Sequence, residues 1–113
     1  MHLHHPILSA RVDRSYEMHK KFIKPILEKY KVDLVLQGHD HLYARGHMDP
    51  SVLGRSETGP VYVTSVSGPK QYKMKEEAVT QLKEMGYRTV YSDENTQFFQ
   101  VIHIDGNALS YKS

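Results

Sequence analysis

The stretch that most restricts this chain is a short apolar run, Val32-Asp33-Leu34-Val35-Leu36, followed at once by Gln37-Gly38-His39-Asp40-His41-Leu42-Tyr43-Ala44-Arg45. An apolar run of this length, closed by a glycine, reads as a buried strand. Gly38 allows a sharp turn without a Cβ clash, so that His39 and His41 can both reach into one cleft at the strand's C-terminal end. Neutral imidazole is the commonest protein ligand for zinc and similar ions. An isolated pair of this kind reads as a solvated polar loop. The remainder of the chain decides in favour of a metal site.

The 113 residues amount to one domain or part of one, long enough to bury roughly two-thirds of the unfolded surface. No apolar run is long enough to span a bilayer, and the start, Met-His-Leu-His-His-Pro, has no apolar core of the kind a signal peptide needs. A formal charge of +2 with scattered Lys and Arg lacks the concentrated basic face of a nucleic-acid binder. Lys20, Lys21, Lys24, Lys29 and Lys31 read as the wet side of an amphipathic helix. The absence of cysteine excludes disulfides and thiolate metal sites. The eight histidines stand out, at about three times ordinary usage.

Along the chain, a strand end delivers His4 into a loop stopped by Pro6. Arg11, Asp13 and Arg14 form a charged loop. Tyr16, His19, Phe22, Ile23, Ile26, Leu27 and Tyr30 recur at helical spacing over 15–30, with a kink or break expected at Pro25. His19 on that apolar face is read as packed. Strand 32–37 follows. Residues 46–60, rich in Gly, Pro, Ser and Asp, read as a loop in which His47 is solvated. Residues 61–67 read as a strand, about 75–85 as a helix with Gly86 at its C-cap, and 88–92 as a short strand. Residues 97–104 then form a longer strand bearing a structural His103. Asp105-Gly106-Asn107 makes a hairpin turn into an edge strand, 108–111.

Taken in order, HHPILSA, VDLVLQGHDHLYARG, GPVYVTSVSGPKQY and NTQFFQVIHIDGNALSY resemble the calcineurin-like metallophosphoesterases, and among them the purple acid phosphatase-like members of bacteria. The resemblance covers nearly the whole chain. It implies an α/β (α+β) fold in which residues 1–113 are the C-terminal half of a four-layer α/β/β/α sandwich, a mixed sheet with flanking helices. It implies hydrolysis of phosphate esters at a dinuclear centre of iron, zinc or manganese. Residue by residue, His4 and His39 would bind one metal and His41 the other. His5 stands where the family varies and receives no ligand role. Arg14 is the candidate phosphate contact, and Arg45 would orient its loop through a charged pair. Family members are often secreted or periplasmic.

The family's other ligands come from an N-terminal half whose GDxx and GNH[DE] motifs do not occur here. Two close dications need a bridging anion and about four protein ligands each, and three neutral histidines supply neither. The fragment is therefore expected to be inactive alone and to hold at most one weakly bound ion. Its expected partners are a phosphate ester substrate, the missing N-terminal half and a further copy of itself, with no nucleic acid or membrane. Strand 61–67 and the apolar residues of 97–104 would be the self-associating surfaces. The alternatives are a non-catalytic metal- or phosphate-binding domain and a structural module whose histidines are incidental.

Overall fold

The computed structural model describes residues 1–11, 16–54 and 56–113. Five strands form one mixed sheet: β1 (His2–Leu3), β2 (Leu34–Gln37), β3 (Tyr43–Met48), β4 (Val61–Thr64) and β5 (Tyr87–Asp93), in the order β1-β2-β4-β3-β5. The first three in that order run parallel, whereas β3 is antiparallel to both β4 and β5. A π-helical turn, His19–Ile23, leads into α1 (Lys24–Lys29), and α2 (Glu76–Glu84) precedes β5. The last two strands, β6 (Val101–Asp105) and β7 (Ala108–Lys112), pair only with each other. The domain is thus mixed α+β, and among the described residues no helix is long and apolar enough to cross a membrane.

Local chemistry accounts for these elements. Pro25 lacks an N–H and crowds the carbonyl four residues back, so the helix does not break there but widens: the Lys24 N–H reaches five residues back to the His19 carbonyl. In α2, Glu76 and Glu77 occupy the first turn and Lys83 the last, each with the sign that the helix dipole favours. Ala78 and Leu82, one turn apart, are the buried residues of that helix. Leu82 joins Ile7, Leu8, Leu27, Val35, Met48, Tyr62 and Tyr87 in the core between the helices and one face of the sheet. Burial pushes the Tyr87 hydroxyl well above the ordinary phenol range.

Two elements differ from their sequence patterns. Gly46, His47 and Met48, expected in a loop, lie in β3, where Gly46 is paired with Tyr62 on one side and Thr89 on the other. The strand expected over 97–104 begins only at Val101. Before it, Phe98 donates its N–H to the Val66 carbonyl at 2.8 Å and Gln100 bonds Ser65, which ties the segment to the main sheet. The hairpin β6–β7 then lies over the sheet face away from the helices. There Tyr43 stacks on Phe98 with centroids 4.2 Å apart, the Tyr43 and Tyr111 hydroxyls meet at 3.1 Å, and Arg45 sits 5.6 Å over the Tyr111 ring. This ring contact takes the place of the charged pair expected for Arg45.

At the far end of β3, the Asp49 carboxylate accepts from Ser51 Oγ (2.7 Å), from the Ser51 N–H (3.0 Å) and from Arg88 Nε (2.6 Å). These bonds, Ser51 first and Arg88 after it, pull its pKa from 3.8 to about 2. A carboxyl depressed on folding contributes stability that is complete above its unfolded pKa and lost as pH falls through the folded one. The expected result is that the Asp49→Asn variant and the parent converge in stability between pH 3.8 and about 2. An NMR titration of the Asp49 carboxyl that returned an ordinary value would contradict this.

Candidate metal centre

The chain turns out of β1 at His4 and His5, and out of β2 at Gly38 and His39, so two parallel neighbouring strands deliver these residues to the same edge of the sheet. The Gly38 N–H donates to the carbonyls of Leu3 (3.2 Å) and His4 (3.0 Å). A Cβ on Gly38 would stand 3.2 Å from the His4 carbonyl oxygen, tighter than ordinary contact. Glycine is needed here for close approach to His4. The left-handed residue is instead His39, with φ of 68°. For a residue with a side chain this conformation costs about 1–2 kcal/mol.

Below the histidines the two loops are cross-braced. Gln37, buried beneath them, accepts from the N–H groups of Ile7 (2.7 Å) and Leu8 (3.2 Å). It donates to the Leu8 carbonyl (2.9 Å) and Thr64 Oγ1 (3.1 Å). Buried Asp40 accepts from Ser9 Oγ at 2.5 Å, and Ser9 Oγ in turn accepts the Arg11 N–H at 2.9 Å. Segments 4–11 and 37–40 are therefore held as one unit.

On this support three imidazoles converge. The ring centroids are 4.9 Å apart for His4 and His5, 5.1 Å for His4 and His39, and 4.7 Å for His5 and His39. His39 Nδ1 lies 3.2 Å from His4 Nε2, and one ligand nitrogen from each residue can be chosen so that all lie within 4.8 Å of one another. Rings that share one ion through nitrogens ~2.0–2.1 Å from it have centroids about 5 Å apart, so the spacing fits a single ion. The cluster is open to solvent at His4 and His5. Tyr16 packs behind His5 with centroids 4.5 Å apart, and His19 stacks on Tyr16 at 5.3 Å. His19 Nδ1 is buried with no hydrogen-bond partner.

Of the residues expected at the site, His4 and His39 are brought together. His41 is not with them: its Nδ1 lies 3.1 Å from the Lys70 carbonyl and its ring stands edge-on to Tyr72 at 4.9 Å. Arg14 lies outside the described residues. His47 bonds the Met48 carbonyl from within β3, and His103 is exposed on the hairpin. The residue that the pattern of the sequence missed is His5. Its signal was the His-His pair at a bend after a strand, where Pro6 stops regular alternation.

No protein-family model matches the chain, and no curated protein matches it. Among solved structures it is similar to GAP50, the anchor in the inner membrane complex of Plasmodium, with a TM-score of 0.57 and 18% identity. The likeness covers 96% of this chain and 29% of that one, so the present chain spans less than a third of the protein it matches. At this identity the likeness concerns the fold alone.

These findings correct the phosphatase reading. The matching structure is described as an anchor and not as a hydrolase, and no metallophosphoesterase family model matches. The site geometry gives the physical reason. Among the described residues the metal-competent group is three histidines with no carboxylate, and a dinuclear hydrolytic centre needs two adjacent ions held by a bridging anion. Hydrolysis of phosphate esters and the metallophosphatase assignment are withdrawn together.

Proposed function

We propose that this chain is a non-catalytic metal-binding domain in which His4, His5 and His39 hold one transition-metal ion, with zinc the best match to an all-imidazole donor set. The observation that carries this reading is the convergence of three rings at centroid spacings of 4.7–5.1 Å. The left-handed backbone at His39 supports it, because such strain concentrates where a side chain is held for a purpose. Bound there, the ion supplies a cross-link between the segment after β1 and the loop after β2. The two segments already share the Gln37 and Asp40 braces, so little ordering remains to oppose binding.

A ligand that binds only the folded chain stabilises it by mass action, by about 2.7 kcal/mol at a free concentration one hundred times its dissociation constant. Zinc is expected to raise the unfolding midpoint accordingly, and less so at acid pH, where protons compete for the ring nitrogens. His4→Ala and His5→Ala should each remove most of the gain. His41→Ala and His103→Ala should keep it. His39→Gly is the most informative variant, since it removes a ligand while relaxing the left-handed position. It should leave the metal-free chain within ~1 kcal/mol of the parent and lose the zinc response. Calorimetric titration showing no zinc uptake by the parent, or equal uptake by His39→Gly, would refute the site.

A further inference from the structure

The helices cover one face of the main sheet, and the other face is only partly covered. Leu34 pairs with Val61 and Leu36 with Val63, which puts these four on the side opposite the core residues Val35 and Tyr62. The hairpin closes over the Tyr43 and Arg45 end of that face. At the other end a cleft of about 850 Å³ stays open, with Val32, Pro60 and Val61 on one wall and Ile104, Ala108 and Leu109 on the other. Parallel strands such as β2 and β4 occur almost only where both faces are covered.

The hairpin itself presents an apolar side. Ile102 faces Tyr111 across the ribbon and Ile104 faces Leu109, so the four share one surface. Ile104 is 68% exposed, Leu109 42% and Ile102 38%. Val101, His103 and Asp105 alternate onto the other side. A lone two-stranded ribbon is marginal in water, and neither outer edge of this one is paired. The whole chain exposes 7081 Å², whereas a folded monomer of 13.1 kDa is expected to expose roughly 6,400 Å². The excess, roughly 700 Å², is close to the ~800 Å² that each partner contributes to a standard interface.

We propose that this face docks a second copy of the chain, in a two-fold dimer that places the sheet-and-hairpin surfaces together and the helix layers outside. The rim favours self-pairing. Lys31, Asp33 and Glu57 border the cleft with both signs of charge, so a two-fold mate can set Lys31 against a carboxylate, where a rim of one sign would repel its copy. The apolar walls, being the same on both copies, remove each other from water.

Sedimentation velocity of the chain over roughly 1–100 µM, a span bracketing the weaker affinities of such interfaces, is expected to show conversion to twice 13.1 kDa. Ile104→Lys combined with Leu109→Lys should give a monomer that keeps its circular dichroism spectrum and its zinc uptake. His103→Lys, on the other side of the ribbon, should dimerise as the parent does. If the double lysine variant does not fold, Ile104→Thr, which retains β-branching, should weaken dimerisation at least tenfold. A parent that stays monomeric throughout overturns the proposal, including one that binds an apolar-surface dye and so keeps the face for a different partner. It is equally overturned by a dimer that survives the lysine pair or Ile104→Thr, or that is lost with His103→Lys.

Discussion

Gly46→Ala should destabilise the chain by about 3 kcal/mol or more, enough to abolish a cooperative unfolding transition in a domain of marginal stability. A methyl group on Gly46 would lie 2.3 Å from the Arg88 carbonyl oxygen and 2.6 Å from the ring and hydroxyl of Tyr87. The first is backbone of the paired strand and cannot rotate away. The second is a core side chain, 7% exposed, packed at 6.3 Å against Tyr62. Relief therefore requires β3 and β5 to separate at the register irregularity between Arg45 and Gly46. Gly68→Ala, with nothing within 4 Å of the added carbon, is the matched control and should stay within ~0.5 kcal/mol of the parent. Chemical denaturation distinguishes the two, and equal midpoints for both variants would contradict the account.

The same glycine shows why β3 was hard to read in the sequence. A glycine, a histidine and a nearby Asp-Pro pair look like turn chemistry, because local pattern carries no information about a tyrosine ring arriving from residue 87. Where the code is local, the reading was close. The apolar run became β2, and the Ala78 and Leu82 spacing became the buried side of α2. Asp105-Gly106-Asn107 became the hairpin turn, with Gly106 at φ of 55°. The proline effect was legible too, though its outcome was not. A missing N–H at Pro25 could end, bend or widen the helix, and packing of Leu27 into the core favours the form that keeps the chain helical.

For the site, the sequence carried His4 and His39 because each follows a strand, but it could not give the directions of the rings. His39 and His41 are two residues apart, a spacing that on a regular strand puts both on one side. The left-handed turn at His39 breaks that periodicity and sends His41 toward Lys70 and Tyr72. His5 enters for the complementary reason. Adjacent residues on a strand point oppositely, yet at the bend before Pro6 both rings meet His39. The family resemblance rested on the order of short motifs, and such motifs specify strand–turn geometry that a fold can keep without the activity.

Gln37→Leu should be the second most damaging substitution, at about 3–5 kcal/mol, and should disable the histidine cluster as well. Leucine fills similar space, so little of the loss comes from packing. What disappears is the acceptor for two backbone N–H groups, Ile7 and Leu8, and the donor to the Leu8 carbonyl and Thr64. These groups are buried, and each buried polar group left without a partner costs about 1–3 kcal/mol. Because residues 6–8 have no strand partner beyond β1, the Gln37 amide serves as their surrogate ladder, fixing where Pro6 begins and hence where His4 and His5 stand. In a domain of this size a 3 kcal/mol loss lowers the unfolding midpoint by roughly 12–24 °C. Gln37→Glu keeps the acceptor and loses the donor, and should fall between leucine and the parent. The zinc response discriminates this role from a purely structural one. At a temperature where Gln37→Leu remains partly folded, saturating zinc should recover far less stability than it adds to the parent, because the segment carrying two of the three ligands is no longer held against His39. A full zinc response in Gln37→Leu would mean that the cluster assembles without this brace, and would leave Gln37 with a role in the fold alone.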